Sequence, residues 1–304
     1  MKTTLLLCTL ILGMFSLRAG ITTYPWPTDS ELFSDQNYEI RVRPFNESDS
    51  TFGNWVDLNE FYSYQRSYPE HWKCGGDAGT DFMSDRSLTF VSFEFTGTIE
   101  VEVTQKLSST LAKRVEVSPK AFGFTPNYFD GKTVRFAMNS QKYISVNFDF
   151  GTNAINRDDN RASGYDIKHG VMIFTEVPEA VKPFGYVIPE PGDPGVVVWD
   201  NSTPLSEILA ADIIYFPTGE TEMRTHPDRW ERNSSWDLAE ADQNWVRTES
   251  EYNNAKLYRG KLNLGKDGQK IYLAPGAIVY GGFHSHGHDN NWIYGTGIDT
   301  GRKH

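Results

Sequence analysis

The sequence predicts an all-β protein in which an antiparallel β-sandwich is followed by the first coils of a parallel β-helix. Residues 21–182 contain short alternating strands separated by turn signals, a pattern that is typical of sandwiches. Residues 196–304 contain shorter strands that end at Gly or Pro and leave no room for crossover helices, which is typical of stacked coils. The segment 183–195 is rich in Pro and Gly and is the predicted linker between the two domains.

Alternation of apolar and polar residues predicts the strands of the sandwich. Within residues 38–42 the apolar side chains fall on one face, because side chains in a strand repeat every two residues. Residues 88–95 and 99–103 are predicted to form a hairpin across a Thr-Gly-Thr turn, and Asp130-Gly131 marks a second turn. Further strands are predicted at 115–117, 133–137, 143–150 and 171–174.

Three similar motifs indicate the repeat of the second domain. IYFPTG begins at Ile214, IYLAPG begins at Ile271, and the shorter IYGTG begins at Ile293. The second and third motifs start 22 residues apart, which lies within the range of solenoid repeats. The first and second start 57 residues apart, so the excess of 35 is assigned to a polar insertion at 222–256. A short helix is also predicted at 206–211.

That helix has start signals of its own. Thr203 is the predicted N-cap, and Pro204 the predicted first helical residue, where a missing N–H costs nothing. The helix is placed where it could cover the open end of the coils.

The motif I-Y-L-A-P-G-A-x-V-x-G-x-F, followed by I-Y-G-x-G-I-x-x-G, resembles the first coils of the right-handed parallel β-helix in family 49 glycoside hydrolases, the dextranases and isopullulanases. Polygalacturonases share a similar coil. The resemblance covers the chain from about Val115 onward and is strongest over 213–301. It implies an N-terminal β-sandwich and an inverting glycosidase that uses paired aspartates and no cofactor. The matching positions are Ile271, Tyr272, Leu273, Ala274, Pro275, Gly276, Ala277, Val279, Gly281, Phe283, Ile293, Gly295, Gly297, Ile298 and Gly301.

No catalytic residue is assigned from the resemblance. In the family the aspartates project from later coils, which would lie beyond residue 304, and Asp289 and Asp299 are the only carboxylates after Lys270. Because a solenoid needs about three repeats to bury a continuous core, we expect the chain to be the N-terminal part of a longer secreted enzyme. Two alternatives stay open: a non-catalytic carbohydrate-binding or adhesin-type β-helix, and a polysaccharide lyase, which would add a catalytic base and often calcium.

Tryptophans are the candidate substrate-binding residues, because aromatic faces stack on the apolar faces of sugars. Those of the insertion would either wall a sugar-binding groove or pack on the sandwich. Those of the first domain would make it a carbohydrate-binding module, whereas the other hypothesis is a structural cap on the first coil. The insertion contains Trp230, Trp236 and Trp245, and the first domain contains Trp26, Trp55 and Trp72.

His284, His286 and His288 are candidates for a metal site. Alternate residues of a strand share a face, so three imidazoles at this spacing could converge on zinc. The surrounding Ser, Gly and Asn residues instead indicate a solvated polar loop, and the resemblance implies no metal here. We therefore expect neither a metal nor a cofactor.

Residues 1–20 read as a secretory signal peptide. Lys2 supplies the positive charge, and the apolar core at 5–15 is too short to span a bilayer, although a retained anchor is the alternative. Cleavage would leave Cys74 as the one cysteine, so no internal disulfide is expected.

The charge of the chain bears on its partners. The net charge of −11 becomes −13 without Lys2 and Arg18, which argues against nucleic acid and anionic membranes as partners. The chain is predicted to be a secreted or periplasmic monomer that acts on a polysaccharide, with a neutral polymer favoured.

Overall fold

The computed structural model of the chain describes residues 19–27, 37–59, 61–64, 87–151, 157–161, 164–167, 169–178, 186–228, 257–258, 261–285 and 287–299. These residues form almost entirely strands, with one α-helix among them, and the predicted all-β class is confirmed. Within these ranges no helix is both long and apolar enough to cross a membrane.

The chain forms two compact units. The sandwich unit comprises Met1–Thr22, Gln36–Leu58 and Tyr64–Pro178, and the β-helix unit comprises Thr23–Asp35, Asn59–Ser63 and Glu179–His304. The predicted linker is described from Tyr186 onward, and its limits stay a prediction.

The early strands are β1 (Gly20–Thr22), β2 (Tyr38–Asn46), β3 (Thr51–Phe52), β4 (Val56–Asp57), β5 (Phe61–Tyr64), β6 (Ser87–Thr96), β7 (Thr98–Gln105), β8 (Arg114–Ser118), β9 (Pro126–Phe129), β10 (Thr133–Met138), β11 (Tyr143–Asp149), β12 (Arg157–Arg161), β13 (Gly164–Ile167) and β14 (His169–Glu176). Seven of them, namely β2, β6, β7, β8, β10, β11 and β14, lie within about four residues of predicted positions, and the other seven described here were not predicted. A short 3-10 helix, Lys120–Phe122, follows β8.

Two sheets make the sandwich. The first has the strand order β1-β6-β14-β11-β8, and the second has β3-β2-β7-β10-β9, with β4 also on β2. Along these two orders, and between β4 and β2, the pairs are antiparallel except β6 with β14, which is parallel. One apolar core lies between the sheets and includes Tyr38, Ile40, Val42, Phe93, Phe95, Val101, Val103, Phe136, Ile144, Phe148 and Ile173.

The predicted hairpin between β6 and β7 is wrong. The two strands belong to different sheets, and Gly97 between them has φ 70°, which lets the chain cross from one sheet to the other. Both strands carry an apolar face, and placing those faces opposite each other buries both in the same core, whereas pairing the strands would place the faces side by side. The facing residues are Val91, Phe93 and Phe95 of β6 and Ile99, Val101 and Val103 of β7.

The predicted turn at Asp130-Gly131 is confirmed. Asp130 Oδ1 accepts hydrogen bonds from the backbone N–H of Thr133 at 2.7 Å and of Lys132 at 2.8 Å. These backbone donors, that of Thr133 first, lower the pKa of Asp130 below its usual range. Gly131 supplies the positive φ of 91° that reverses the chain from β9 into the antiparallel β10.

The later strands are β15 (Val196–Val198), β16 (Ile213–Phe216), β17 (Gly219–Glu222), β18 (Leu257–Tyr258), β19 (Lys261–Asn263), β20 (Lys270–Leu273), β21 (Ala277–Tyr280), β22 (Gly282–His284), β23 (Trp292–Gly295) and β24 (Ile298–Asp299). They form three sheets: β15-β16-β20-β23, β17-β21-β24 and β18-β19-β22. Every pairing is parallel except that of the short β18 with β19.

The three motifs stack in register, as the repeat predicts. Ile214 pairs with Ile271, which pairs with Ile293, and the tyrosine that follows each isoleucine stacks in the same way. The inward-facing isoleucines of the first two coils are fully buried in a second core. The extra residues of the first coil lie between β17 and β19, where the insertion was expected.

The helix α1 spans Leu205–Ala210 and packs Leu205, Ile208 and Leu209 into the core of the coils. Thr203 is not its cap. Pro204 occupies the N-cap position in an extended conformation, without a side-chain hydrogen bond. The first free N–H, that of Leu205, instead donates to Asp228 Oδ2 at 2.9 Å.

Thr203 instead belongs to the turn before the helix, where its backbone N–H donates a hydrogen bond to the carbonyl oxygen of Asp200. The C-terminal end of α1 is satisfied by buried Gln269, whose Nε2 lies 2.9–3.3 Å from the carbonyl oxygens of Ile208, Leu209 and Ala211.

Candidate functional site

One outward row of the first β-helix sheet is a stack of tyrosines. Tyr215 and Tyr272 have ring centroids 5.3 Å apart, and Tyr272 and Tyr294 are 5.2 Å apart. Tyr186, from the segment before β15, meets Tyr294 edge-on at 5.4 Å. Tyr272 is only 1% exposed, so the middle of this row is covered and cannot meet a ligand.

The neighbouring outward row is open. Ile213, Lys270 and Trp292 lie side by side on successive strands, with Lys270 Nζ 5.6 Å from the centre of the Trp292 ring. The Trp292 side chain is 59% exposed. On this parallel sheet the exposed ring of Trp292 can stack on a sugar, and the ammonium group of Lys270 can donate to the hydroxyls of that sugar. Sequence reasoning missed Trp292, although its position directly before the third motif assigns it to the outward face.

The histidine segment forms a ladder with the preceding coil. His284 Nδ1 lies 3.0 Å from Asn263 Oδ1, and His288 Nδ1 lies 3.2 Å from Asp267 Oδ1. Asp267 Oδ1 also accepts the backbone N–H of Asp289, and this bond, with that from His288, lowers the pKa of Asp267. The two histidines thus have partners about one coil earlier.

Within the described residues no group of three or more His, Cys, Asp or Glu side chains could hold a metal. His286 lies outside those residues, so the expectation of no metal stays a prediction.

The proposed sugar-binding tryptophans Trp230, Trp236 and Trp245 lie outside the described residues, as do Trp72 and Cys74. The start of the insertion is described, however. Its 3-10 helix Met223–Thr225 buries Met223 in the coil core, and His226 Nε2 lies 2.9 Å from the Thr203 carbonyl oxygen.

Trp26 is not available on the surface. It is 6% exposed and packs edge-on against Tyr24 at 5.5 Å. Its predicted role as a surface sugar-binding residue is therefore wrong, because its ring is covered on folding.

Trp55 lies on the outer face of the second sandwich sheet, over a ladder of charges. On this face Arg41 of β2, Glu102 of β7 and Arg135 of β10 pair side by side. Glu102 accepts from Arg41 Nε and from Arg135 Nε, each at 2.5 Å. One register step away, Glu100 Oε2 accepts from Arg43 Nε at 2.8 Å and Nη2 at 2.5 Å.

Three aromatic rings lie on these guanidinium groups. Trp55 is half-buried, with its ring centre 4.7 Å from Arg41 Cζ and 4.3 Å from Arg43 Cζ. Phe52 lies 3.9 Å from Arg43 Cζ and Tyr128 lies 4.7 Å from Arg135 Cζ. We call this set the cation–aromatic face: Arg41, Arg43, Phe52, Trp55, Glu100, Glu102, Tyr128 and Arg135.

The charges of the face stabilise one another. Burial alone would raise the pKa of Glu102, but hydrogen bonds and charges from Arg41 and Arg135 outweigh it and lower that pKa. Glu102 correspondingly raises the pKa of Arg135. Glu102 and Arg135 therefore favour their charged forms together, and their hydrogen bonds hold the side chains of Arg41, Glu102 and Arg135 in one arrangement.

Comparison with known proteins supports the fold. No family model matches the chain, and no curated protein matches it in sequence. Among solved structures it is similar to Dex49A from Penicillium minioluteum, with a TM-score of 0.55 and 18% identity over 93% of this chain. The chain spans 48% of the length of that structure.

At this identity the similarity shows the fold alone, a sandwich followed by a parallel β-helix. The neighbour carries the family number, 49, that the sequence resemblance gave, which supports a family-49-like fold for this chain.

Proposed function

We propose that the chain belongs to a polysaccharide-degrading glycoside hydrolase of the family 49 type. The observation that carries the proposal is the fold similarity to Dex49A over 93% of this chain, which includes both the sandwich and the coils. The motif resemblance over 213–301 supports the same class from the sequence alone. Dextran and pullulan are the proposed substrates.

The proposed chemistry is hydrolysis with inversion at the anomeric carbon. One carboxylic acid protonates the leaving oxygen while a carboxylate activates water on the opposite face of the sugar. We assign neither role to a described residue. The proposed part of the described coils is to hold the polymer, with the ring of Trp292 stacked on a sugar and Lys270 donating to a hydroxyl.

The test uses protein produced from the complete reading frame. It is incubated with dextran, pullulan and polygalacturonate, reducing ends are quantified, and the first anomer formed is identified by NMR. We expect new reducing ends from a neutral glucan, with inverted configuration. Unsaturated sugar products would identify a lyase, and the absence of cleavage on every polymer would favour the non-catalytic carbohydrate-binding or adhesin-type protein.

The proposal also covers export of the protein and its state after export. We propose that residues 1–20, or all but the last of them, are removed on the way to the periplasm or medium, and that the mature protein is monomeric. Gly20 begins β1 and pairs with Thr96 of β6, so cleavage after Ala19 would keep β1 whole. N-terminal sequencing of exported protein and light scattering check both statements, and an intact Met1 would contradict the first.

A further inference from the structure

We propose that the cation–aromatic face of the sandwich is a second carbohydrate-binding surface, which takes a neutral polysaccharide chain and performs no chemistry. This role goes beyond the proposed hydrolase activity and does not depend on it. Four observations lead to it: unused hydrogen-bond donors, exposed rings, the charge balance of the face and its length.

The first observation is a set of placed donors that have no partner among the described residues. Within the described residues, Arg41 and Arg135 hydrogen-bond only through Nε, both to Glu102. Their terminal Nη groups make no further hydrogen bond there, and each side chain is about one-third exposed. Each guanidinium carries five N–H donors, so several on each remain for a ligand. Buried Glu102 and the ring of Trp55 fix their direction.

The second observation is the exposure of the rings. Phe52 and Tyr128 are each 42% exposed even though a guanidinium lies against each of them. A ring that is held in place by a cation and still open to solvent loses little conformational entropy when a sugar stacks on it. Rings that offer an apolar surface beside polar donors match a sugar, which has an apolar face and a rim of hydroxyls.

The third observation is the charge balance. Three arginines face Glu100 and Glu102, while Asp57 lies opposite Arg41 on β4 and Asp130 accepts from the Tyr128 hydroxyl. Four carboxylates thus accompany three guanidinium groups. The whole chain has a net charge of −11, so neither the face nor the molecule attracts a polyanion. A neutral ligand that both donates and accepts hydrogen bonds fits these charges.

The fourth observation is the length of the face. Phe52 lies on β3 and Tyr128 on β9, at the two ends of the strand order β3-β2-β7-β10-β9. Four inter-strand steps of about 4.8 Å separate them, or roughly 19 Å. Trp55, over the arginines of β2, lies between these ends. A run of several sugar units can therefore contact three rings at once.

The experiment is affinity electrophoresis of the full chain in gels that contain dextran, pullulan or polygalacturonate. We expect dextran or pullulan to retard the wild-type protein. Tyr128→Ala and Trp55→Ala should each weaken retardation roughly tenfold, which is the loss expected for one stacked ring. Arg135→Lys, which keeps the charge but loses the planar fork, should weaken it less.

Phe122→Ala is the matched control. Phe122 is 39% exposed and has Lys142 Nζ 5.3 Å from its ring, so it has the same kind of contact, but it follows β8 of the other sheet. Thermal melts identify any variant that has lost its fold. Tyr128→Ala is the decisive substitution, because Tyr128 is exposed and its loss should disturb the fold least.

Three results would overturn the proposal: no retardation by any neutral polymer, unchanged retardation of Tyr128→Ala and Trp55→Ala, or an equal loss in Phe122→Ala. Salt-sensitive retardation by polygalacturonate alone would replace the neutral ligand with an anionic one. Because binding is read in a gel and hydrolysis by reducing ends, a failed binding test leaves the proposed hydrolase activity to its own assay.

Discussion

At the scale of single residues, two threonines on the inner faces of adjacent strands differ in their hydrogen bonds. Thr89 of β6 is fully buried, and its Oγ1 has no hydrogen-bond partner in the described part of the chain. Thr175 of β14 is almost as buried, but its Oγ1 donates to the Lys142 carbonyl oxygen and accepts from the Lys142 N–H. A buried hydroxyl without a partner keeps its desolvation cost, whereas a bonded one recovers it.

We therefore expect Thr89→Val to raise the free energy of unfolding by about 1 kcal/mol, since it replaces an unbonded hydroxyl with a methyl group of the same shape. Thr175→Val should lower it by about 1–2 kcal/mol, because it leaves the Lys142 groups without their partner. Urea unfolding of both variants checks this. Equal effects in the two variants would show that hydrogen bonding does not distinguish these sites.

Glu102 gives the sandwich a specific dependence on pH. Its pKa is lower in the folded than in the unfolded state, so its contribution to stability is present above the unfolded pKa of about 4.3. That contribution is lost as the pH falls through the lower folded pKa. Glu102→Gln should cost about 2 kcal/mol at neutral pH, because two arginines lose a charged acceptor.

The pH test compares urea unfolding of the wild type and Glu102→Gln at neutral pH and near pH 3. The stability gap between them should narrow in acid. A gap that stays the same at both pH values would mean that Glu102 does not act through its charge.

At the scale of elements, the glycines that end the motifs are required by the stacking of coils. Gly295 at the end of β23 has φ 111°, and a Cβ there would collide with the Leu273 carbonyl oxygen of the coil below. Gly192 has a similar φ of 101°, but nothing lies near its missing Cβ. A side chain at Gly192 would therefore meet backbone strain alone, whereas one at Gly295 would meet the same strain and a clash with the neighbouring coil.

Gly295→Ala should destabilise the β-helix unit by about 3 kcal/mol, from backbone strain together with the clash. Gly192→Ala should cost only the strain, about 1 kcal/mol. Thermal unfolding of both variants measures the difference, and similar losses would argue against close contact between the coils at Gly295.

Seven strands of the sandwich could be predicted from the sequence to within about four residues, because alternation reports which side chains share a face, whereas short strands such as β3, β4 and β9 were not predicted. Alternation does not report which sheet a strand joins, and for this reason the β6–β7 hairpin was wrong. Trp292 was not predicted as a binding residue for a related reason. The repeat was defined by the inward isoleucine of each motif, and Trp292 is the outward residue directly before the third of these isoleucines. Thr203 has good N-cap chemistry, but the Asp200 turn and the distant Asp228 decide where α1 begins.

At the scale of the whole molecule, the coils are continuous without the insertion. In the second coil one residue separates β21 from β22, whereas in the first coil the same corner holds everything between Glu222 and Lys261. The described core of the coils comes from the strands, from Leu205, Ile208 and Leu209 of α1, from Met223 and from short connections that include Trp199 and Leu264. Residues 229–256 lie outside the described part of the chain. The repeat itself could be predicted, because the 22 residues between the motif starts at Ile271 and Ile293 equal the length of one coil.

Replacing residues 229–256 with a short Gly-Ser loop should leave a folded protein with a melting temperature within a few degrees of the wild type, because the parallel registers of the described coils are complete between strands on either side of this segment. If Trp230, Trp236 and Trp245 wall a sugar groove, the shortened protein should also bind or cleave polysaccharide less well. Thermal melts and the gel and reducing-end assays measure both effects. If binding and cleavage of polysaccharide are both unchanged, the three tryptophans are not binding residues.

The ladder from Asn263 to His284 and from Asp267 to His288 also governs which changes of length the chain tolerates. Each side chain finds its partner about one coil away, so a residue gained or lost between Leu273 and His284 would misalign both rungs together. Residues 225–228 are tied to the preceding coil in the same way, because Asn201 Nδ2 donates to Thr225 Oγ1 at 2.6 Å and the Leu205 N–H donates to Asp228 Oδ2 at 2.9 Å. Natural variation in length, and any grafted loop or affinity tag, should therefore accumulate after Asp228, in the long insertion that the sequence places before Leu257.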